Sequence, residues 1–320
     1  MNATDAKYFL ITIDVEDWFQ VENFKAWIPF ETWGRRELRI EKNVHRLLDM
    51  FDAISLAPSP TATGSIKSTN TLTPATQSRT LRPKATFFVL GWVAEKLPHL
   101  VCEIIARGHE VASHGCYHVL LKKMTAAALR KDLSESRKRL EDTTGNHIRG
   151  FRAPSFAIDN DIIDIIAESG YFYDSSYNSF SLHGRYGKIS LNGHTKIGIA
   201  HRMSDCLFEL PISNLKIKDS VLPLGGGSYF RLIPYGVFRW GVKYILRSNR
   251  AYLFYLHPWE IDPAQPFVKQ SSLNFKLRHY WNLSKTAPRL KRLIMSFPNC
   301  HFYTCSQYLA DIIGVNQCKT

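Results

Sequence analysis

The chain is 320 residues long, 45% hydrophobic, 12% aromatic and 22% charged, which supplies a real core and excludes wholesale disorder; 18 Gly and 15 Pro exclude a fibrous repeat. Forty-one Lys and Arg against 28 Asp and Glu give a formal charge of +13, which suits an anionic partner without choosing among lipid phosphate, acidic glycan and nucleic acid. No run of about 18 apolar residues is present, so no membrane-spanning helix is expected.

The opening MNATDAKYFLITIDVEDW has no basic leader, and its apolar stretch ends in three acids, so a cytosolic location is expected. Tyr8–Asp14 reads as a buried strand, and Ile40, Val44, Leu47, Leu48, Phe51 and Ile54 follow the helical period over roughly 38–56. Residues 57–83, rich in Ser, Thr and Pro, read as a flexible surface insertion. Ala85–Leu90 is the second strand, Leu97 to Ile105 the next helix, stopped by Gly108, and Glu110–Ser113 the third strand. A basic surface helix over 125–142 precedes a strand at Ile148–Phe151. A helix marked by Ile162, Ile163, Ile165 and Ile166 leads into the strand-like YFYD. Residues 186–235 are irregular and hold GGGSYF at 225–230, with short strands at Leu207–Pro211 and Ala251–His257. A helix near 286–296 and a terminal strand HFYTCS complete the pattern. Strands alternating with helices argue a parallel sheet covered by helices, and a closed or nearly closed α/β barrel fits better than separate domains. The six cysteines show no CxxC pair and read as mostly buried thiols.

Polar residues gather where the strands end, which in α/β folds is the catalytic face. Asp14, Glu16 and Asp17, followed by Trp18, leave the first strand; they suit a metal or a general base, and a single acid there also suits a helix or loop cap. SHGCYH puts His114 and His118 four residues apart, able to converge on one cation. With a carboxylate they form a site with open positions, the catalytic rather than the structural arrangement. GFRAPSF at 150–156 holds Arg152, which needs a carboxylate partner if buried; Asp174, at the next strand end, is the candidate. FYLHPWE puts His257 at a strand terminus, where a proton donor belongs.

With IDVEDWF, ATFFVLG, EVASHGCYH, FRAPSF and YLHPWE in that order, residues 8 to about 260 resemble the polysaccharide deacetylases, carbohydrate esterase family 4, the NodB-homology group. The DVEDWF opening, GGGSYFRLIPY and the HPWE ending resemble the subgroup found with bacterial exopolysaccharide export loci. The resemblance implies a distorted (β/α) barrel, one catalytic domain over 1–320 with 261–320 packed on the barrel, and one divalent metal, zinc first, with cobalt, iron or manganese also suited. It makes Asp14 the catalytic base, His114 and His118 metal ligands, Arg152 the residue that orients the base with support from Asp174, and His257 the general acid. The third ligand is Glu16 by the acid–x–acid relatives, with Asp17 the other choice. Ser155 stands where the family usually has Tyr; its N–H would help hold the oxyanion, with Phe156 next to it on the pocket wall.

The implied reaction is hydrolysis of an acetamide on an N-acetylated glycan or a lipid-linked saccharide, by metal-activated water. Aromatics near the motifs, Trp18, Trp27, Trp33, Tyr229, Phe230 and Trp259, favour an open sugar-stacking cleft. Two other classes stand beside this one: a cyclic amide or ureide hydrolase on the same scaffold, with a small closed pocket, and a non-catalytic glycan- or membrane-binding relative. No nucleic-acid motif is present, so nucleic acid is not an expected partner. The basic helices at 125–139, 231–250 and 289–293 allow peripheral contact with an anionic membrane at its inner face.

Overall fold

Three strands with almost no polar side chains form the centre of the sheet. The computed structural model describes residues 6–56, 82–180, 186–218 and 220–314. In it β1 (Tyr8–Val15) lies between β2 (Ala85–Val89) and β11 (Ala251–Leu256), both parallel to it. A strand covered on both faces reads as a continuous apolar run, which is why these three were visible in the sequence. The ladder continues through β3 (Glu110–Ser113), β4 (Gly150–Phe151) and β5 (Tyr173–Asp174) to β8 (Phe208–Glu209), all parallel. Antiparallel β7 (Ala200–Arg202) and β6 (Thr195–Ile197) extend it, giving the order β11-β1-β2-β3-β4-β5-β8-β7-β6. A separate hairpin pairs β9 (Leu215–Ile217) with β10 (Ser220–Leu222).

The sheet curls until the chain after β8 meets the free edge of β11. Ser213 N–H donates to the Leu253 carbonyl at 3.3 Å, Leu253 N–H to Ser213 Oγ at 2.8 Å, and Tyr255 N–H to the Gly225 carbonyl at 2.8 Å. Irregular backbone, not another strand, thus nearly closes the ring, and the expected distorted (β/α) barrel is what is observed. Gly226, at φ 126°, lies so close to β11 that a Cβ there would stand 2.0 Å from the Tyr255 carbonyl oxygen, so only glycine fits this closure.

Helices α1 (Ile40–Asp52), α3 (Pro98–Ala106), α4 (Ala126–Thr144), α5 (Asn160–Glu168) and α7 (Tyr235–Asn249) turn apolar stripes inward. The helix expected over Leu97–Ile105 is α3, opened by Pro98 as its first residue, and a short helix not expected from the sequence, α2 (Gly91–Lys96), precedes it. The expected terminal strand is not formed. Only His301 bridges to Tyr8, and Thr304 then caps α10 (Cys305–Ile313) in a reciprocal pair with Gln307. Three further helices are α6 (Gly227–Leu232), α8 (Leu273–Tyr280) and α9 (Leu283–Met295), the last passing through Pro288. All but Arg82 and Pro83 of the insertion expected over 57–83 lies outside the described residues, as does Cys318.

Candidate functional site

The three acids that follow β1 take three separate jobs. Asp14 is the last but one residue of β1, and its Oδ1 accepts from Arg152 Nη1 at 2.6 Å. Glu16 lies in a cleft beside His114, His118 and His257. Burial would raise its pKa, but positive charge at His118 and His257 outweighs it and holds the carboxyl well below the usual range. Asp17 is not part of this group. Its carboxylate accepts the backbone N–H of Trp18, Arg39 and Ile40, so it caps the start of α1, and burial pushes its pKa up to about 6. Of the two carboxylates offered as third ligand, the structure brings Glu16 to the histidines.

His114 follows β3 directly, and the turn Gly115 (φ 74°) to His118 (φ 52°) brings the second imidazole back to the first. A non-glycine residue in the left-handed region is costly, by roughly 1 kcal/mol, and persists where surrounding contacts enforce it. His114 Nδ1–H donates to the Arg152 carbonyl at 2.8 Å, which leaves its Nε2 as the lone-pair nitrogen. That atom and both His118 nitrogens are buried without a hydrogen-bond partner among the described residues. Glu16 Oε1 stands 3.9 Å from His114 Nε2 and 3.4 Å from His118 Nε2. Donors around one tetrahedral ion at about 2.1 Å would lie about 3.4 Å apart. Two imidazoles and a carboxylate, with buried unpartnered nitrogens at this spacing, fit a divalent cation.

Arg152 leaves β4 and crosses the barrel interior over the face of Phe88, 4.0 Å from its ring centre, to reach β1. It donates to Asp14, to Thr12 Oγ1 at 2.7 Å, and to the carbonyl and hydroxyl of Ser175, each at 2.8 Å. Its ion-pair partner is therefore Asp14. Asp174 instead accepts from Ser176 Oγ and N–H and pairs with Glu209, both carboxyls raised by burial. Because Ser176 Oγ also accepts from Ala153 N–H at 2.7 Å, Asp174 holds the backbone beside Arg152 rather than its guanidinium. Ser155 and Phe156, both at positive φ (55° and 57°), turn the chain so that they line the cleft.

His257, at the end of β11, points Nε2 at Glu16 Oε1 (3.1 Å) and lies 3.9 Å from Asp14 Oδ2. Its Nδ1 contacts Glu260 Oε1 at 2.8 Å, and Glu260 Oε2 accepts from Arg231 Nε at 2.7 Å. Arg231 is fully buried, its remaining N–H groups held by the carbonyls of Arg278, His279 and Trp281. Burial opposes a charge on His257, yet Glu16 and Glu260 prevail and raise its pKa well above the usual histidine value. The Trp259 ring stacks on both His257 and His279, and His279 is held neutral by burial and by the Arg231 and His257 charges. Sequence reasoning gave no role to Glu260, Arg231 or His279; the first stood in the HPWE motif and Arg231 in GGGSYFRLIPY, whereas nothing local marked His279.

Asp14, Glu16, His118, His257 and Glu260 line one cleft that opens to solvent, about 680 Å³ with the open solvent counted, with Glu22, Asn23, Tyr186, Ser228, Tyr255 and Arg278 on its walls. Of the six aromatics expected around the cleft only Trp259 lines it: Trp33 and Phe230 are buried in the core, and Trp27 packs against it. Trp18 is buried, its indole N–H donating to the Glu37 carbonyl, and Tyr229 lines a smaller neighbouring hollow of about 180 Å³ that shares Tyr186 and Tyr255 with the cleft.

Residues 64–173 match the family model described as Polysaccharide deacetylase, and residues 175–310 match one described as Domain of unknown function (DUF3473). A peptidoglycan deacetylase-like protein of Gibberella zeae is 32% identical over 93 residues, 29% of this chain and 28% of the relative. The peptidoglycan-N-acetylglucosamine deacetylase of Bacillus cereus is 27% identical over 93 residues, 29% of this chain and 43% of the relative. The matched stretches thus span less than half of these curated relatives. Among solved structures, a Mycobacterium smegmatis protein that carries the polysaccharide deacetylase name superposes with a TM-score of 0.56 at 18% identity, covering 100% of this chain and 96% of that one, a likeness of fold.

Proposed function

The chain carries a polysaccharide deacetylase domain, and on that premise we propose that it is a metal-dependent hydrolase that removes acetyl groups from N-acetylated amino sugars of a glycan. The observation that carries this reading is the pair of buried, unpartnered imidazole nitrogens facing Glu16, at a cleft that Asp14 and His257 also line, with Arg152 behind Asp14. Glu16, His114 and His118 would hold the metal, zinc first among the candidates, which when bound supplies Lewis acidity toward a carbonyl oxygen and toward water.

The chain's own residues supply the proton chemistry. Arg152 fixes Asp14 Oδ1, leaving Oδ2 on the His257 side of the cleft to accept the proton of the attacking water. His257, kept charged by Glu16 and Glu260, donates a proton to the sugar nitrogen as the C–N bond breaks, and acetate and the free amine leave. Ser155 N–H is assigned to the carbonyl oxygen of the acetyl group, a donor worth roughly 3 kcal/mol in such sites. Asp174 acts as a support for the Arg152 strand end, and residues 1–320 work as one catalytic domain. A cleft that opens to solvent favours an extended saccharide over the small enclosed pocket that a cyclic amide needs.

The test is acetate release from N-acetylglucosamine oligomers by the purified chain, with and without a strong chelator, beside Asp14→Asn. Release that needs the metal and disappears in the variant supports the proposal. Ammonia or ring-opened product from cyclic amides, with no acetate from any oligomer, would overturn it.

A further inference from the structure

Charge is distributed very unevenly along this chain. Between residues 220 and 310 stand twelve Lys and Arg but only two acids, Glu260 and Asp262. Both acids are buried and already paired, with Arg231 and Arg39. The same segment holds nine of the twelve large apolar side chains that are exposed among the described residues.

The two features coincide on α7. Its fifteen residues, YGVFRWGVKYILRSN, include no acid, and a helix of that length is about 22 Å long. Phe238, Val242, Ile245 and Leu246 face the barrel. On the opposite side Val237, Trp240 and Tyr244, at i, i+3 and i+7, form a stripe about half exposed (48%, 55% and 50%), with the Trp240 and Tyr244 rings 6.0 Å apart. Arg239, Lys243 and Arg247 run beside that stripe, exposed and without an acidic partner among the described residues. At the start of α7, Arg292 of α9 sits over the Tyr235 ring at 4.3 Å, which brings exposed Lys291 and Met295 to the same end.

The other basic helix is different. On α4, Arg130, Lys131, Arg137, Lys138 and Arg139 are all paired, with Glu168, Glu135, Glu141, Asp142 and Glu95. That is a self-neutralised, solvated face.

We infer that the outer face of α7, continued by the end of α9, docks on an anionic lipid bilayer. Trp and Tyr are the side chains that settle at the water–lipid boundary, and a parallel row of unpaired cations fits acidic head groups. Among the described residues no helix is long and apolar enough to cross a membrane, so the contact is a peripheral one. The inference uses none of the residues assigned to deacetylation and stands apart from that reading.

Flotation of the full chain with vesicles of equimolar phosphatidylcholine and phosphatidylglycerol, and with phosphatidylcholine alone, tests it. Binding is expected only to the anionic vesicles and is expected to fall with salt. Each cation lost at the surface weakens partitioning roughly fivefold, so Arg239→Gln, Lys243→Gln and Arg247→Gln together are expected to lower it on the order of a hundredfold. Arg130→Gln, Lys131→Gln and Lys138→Gln on α4 remove the same charge and are expected to leave binding within about fivefold. Trp240→Ala with Tyr244→Ala is expected to weaken it as well, and circular dichroism checks that each variant keeps the fold. Equal loss from the two charge sets, equal binding to neutral vesicles, or no binding at all would overturn the inference. So would binding to a soluble polyanion but not to vesicles, or a dimer in solution that Trp240→Ala dissolves and that excludes lipid.

Discussion

Arg152 and Asp14 offer the sharpest test of how the site is held. The guanidinium is fully buried and the carboxylate 2% exposed, so neither charge can turn to water if its partner goes. In Arg152→Met, Asp14 Oδ1, Thr12 Oγ1 and the Ser175 carbonyl and hydroxyl all lose a donor, and a carboxylate stays buried without its cation. Breaking a buried pair from one side costs about 3–5 kcal/mol, and we expect a loss of that size in urea denaturation. Asp14→Asn keeps the shape and one acceptor but strands the buried Arg152 charge, and is expected to cost about 3–5 kcal/mol as well. In the double variant no charge is stranded, so it should be more stable than the sum of the singles predicts, by about 2 kcal/mol. Acetate release should be abolished in Asp14→Asn and in the double variant, which both lack the proposed base, and reduced in Arg152→Met, whose base is present but no longer fixed. Zinc affinity should change less than about tenfold in Arg152→Met, since His114 is oriented by the residue's backbone carbonyl rather than by its guanidinium. Stability effects that add within about 0.5 kcal/mol would refute the idea that the pair is held by mutual charge compensation.

Three further outcomes are expected. Glu260→Gln leaves the buried Arg231 without its carboxylate and loosens His257, so kcat should fall at least about tenfold while KM for the oligomer stays within a few-fold; kinetics on the pure variant check this, and an unchanged kcat would remove Glu260 from the site. Zinc at about 100 times its dissociation constant should stabilise the metal-stripped chain by about 2.7 kcal/mol, and His118→Ala should abolish most of that shift in a thermal melt. His109 accepts the Ala85 N–H in the barrel wall, and burial, then Lys84, lower its pKa from 6.5 to about 4. Its folded-state pKa lies below its unfolded value, so this contribution is complete above about pH 6.5 and is lost as pH falls toward 4, about 3 kcal/mol in all; denaturation between pH 7 and 4 should therefore lose less stability in His109→Gln than in the parent chain.

Much of the barrel could be read because its strands are apolar on both faces and end abruptly in polar residues, as YFLITID, ATFFVL and AYLFYL do. The same abruptness marked Asp14, Glu16, His114, His118, Arg152 and His257, since a polar side chain directly after a buried strand must lie on the open face. Position along a strand says nothing about which strand ends meet across the barrel. Asp174 stood next to Arg152 in the ladder, but the guanidinium passes over Phe88 to β1, a reach that depends on how far the sheet curls. Asp17 could not be told from Glu16 by spacing, because its role depends on where residues 39 and 40 return. The terminal HFYTCS alternates like a strand; Thr304 and Gln307 end that pattern by capping a helix, and α8 escaped notice because Leu273 and Leu277 turn their stripe to solvent.

The hardest residue to foresee was Arg231, and the reason bears on how the two matched regions work together. Its partner Glu260 lies 29 positions later, and its other contacts are backbone carbonyls at the end of α8. No side-chain pattern records a carbonyl. The region matched as Polysaccharide deacetylase, 64–173, contributes His114, His118 and Arg152, but neither Asp14 nor Glu16, which precede it, nor His257, which lies in the DUF3473 match. What joins these pieces is the ladder itself: β1 sits between β2 and β11, so the first strand and the last parallel strand deliver the carboxylates and His257 to the same end of the sheet. Arg231, Glu260 and Trp259 then fix His257 from the DUF3473 side alone. A chain that kept 64–173 and lost either flank would retain the two imidazoles without the carboxylates that follow β1 or without His257, so the proposed function needs β1 and both matched regions around one cleft.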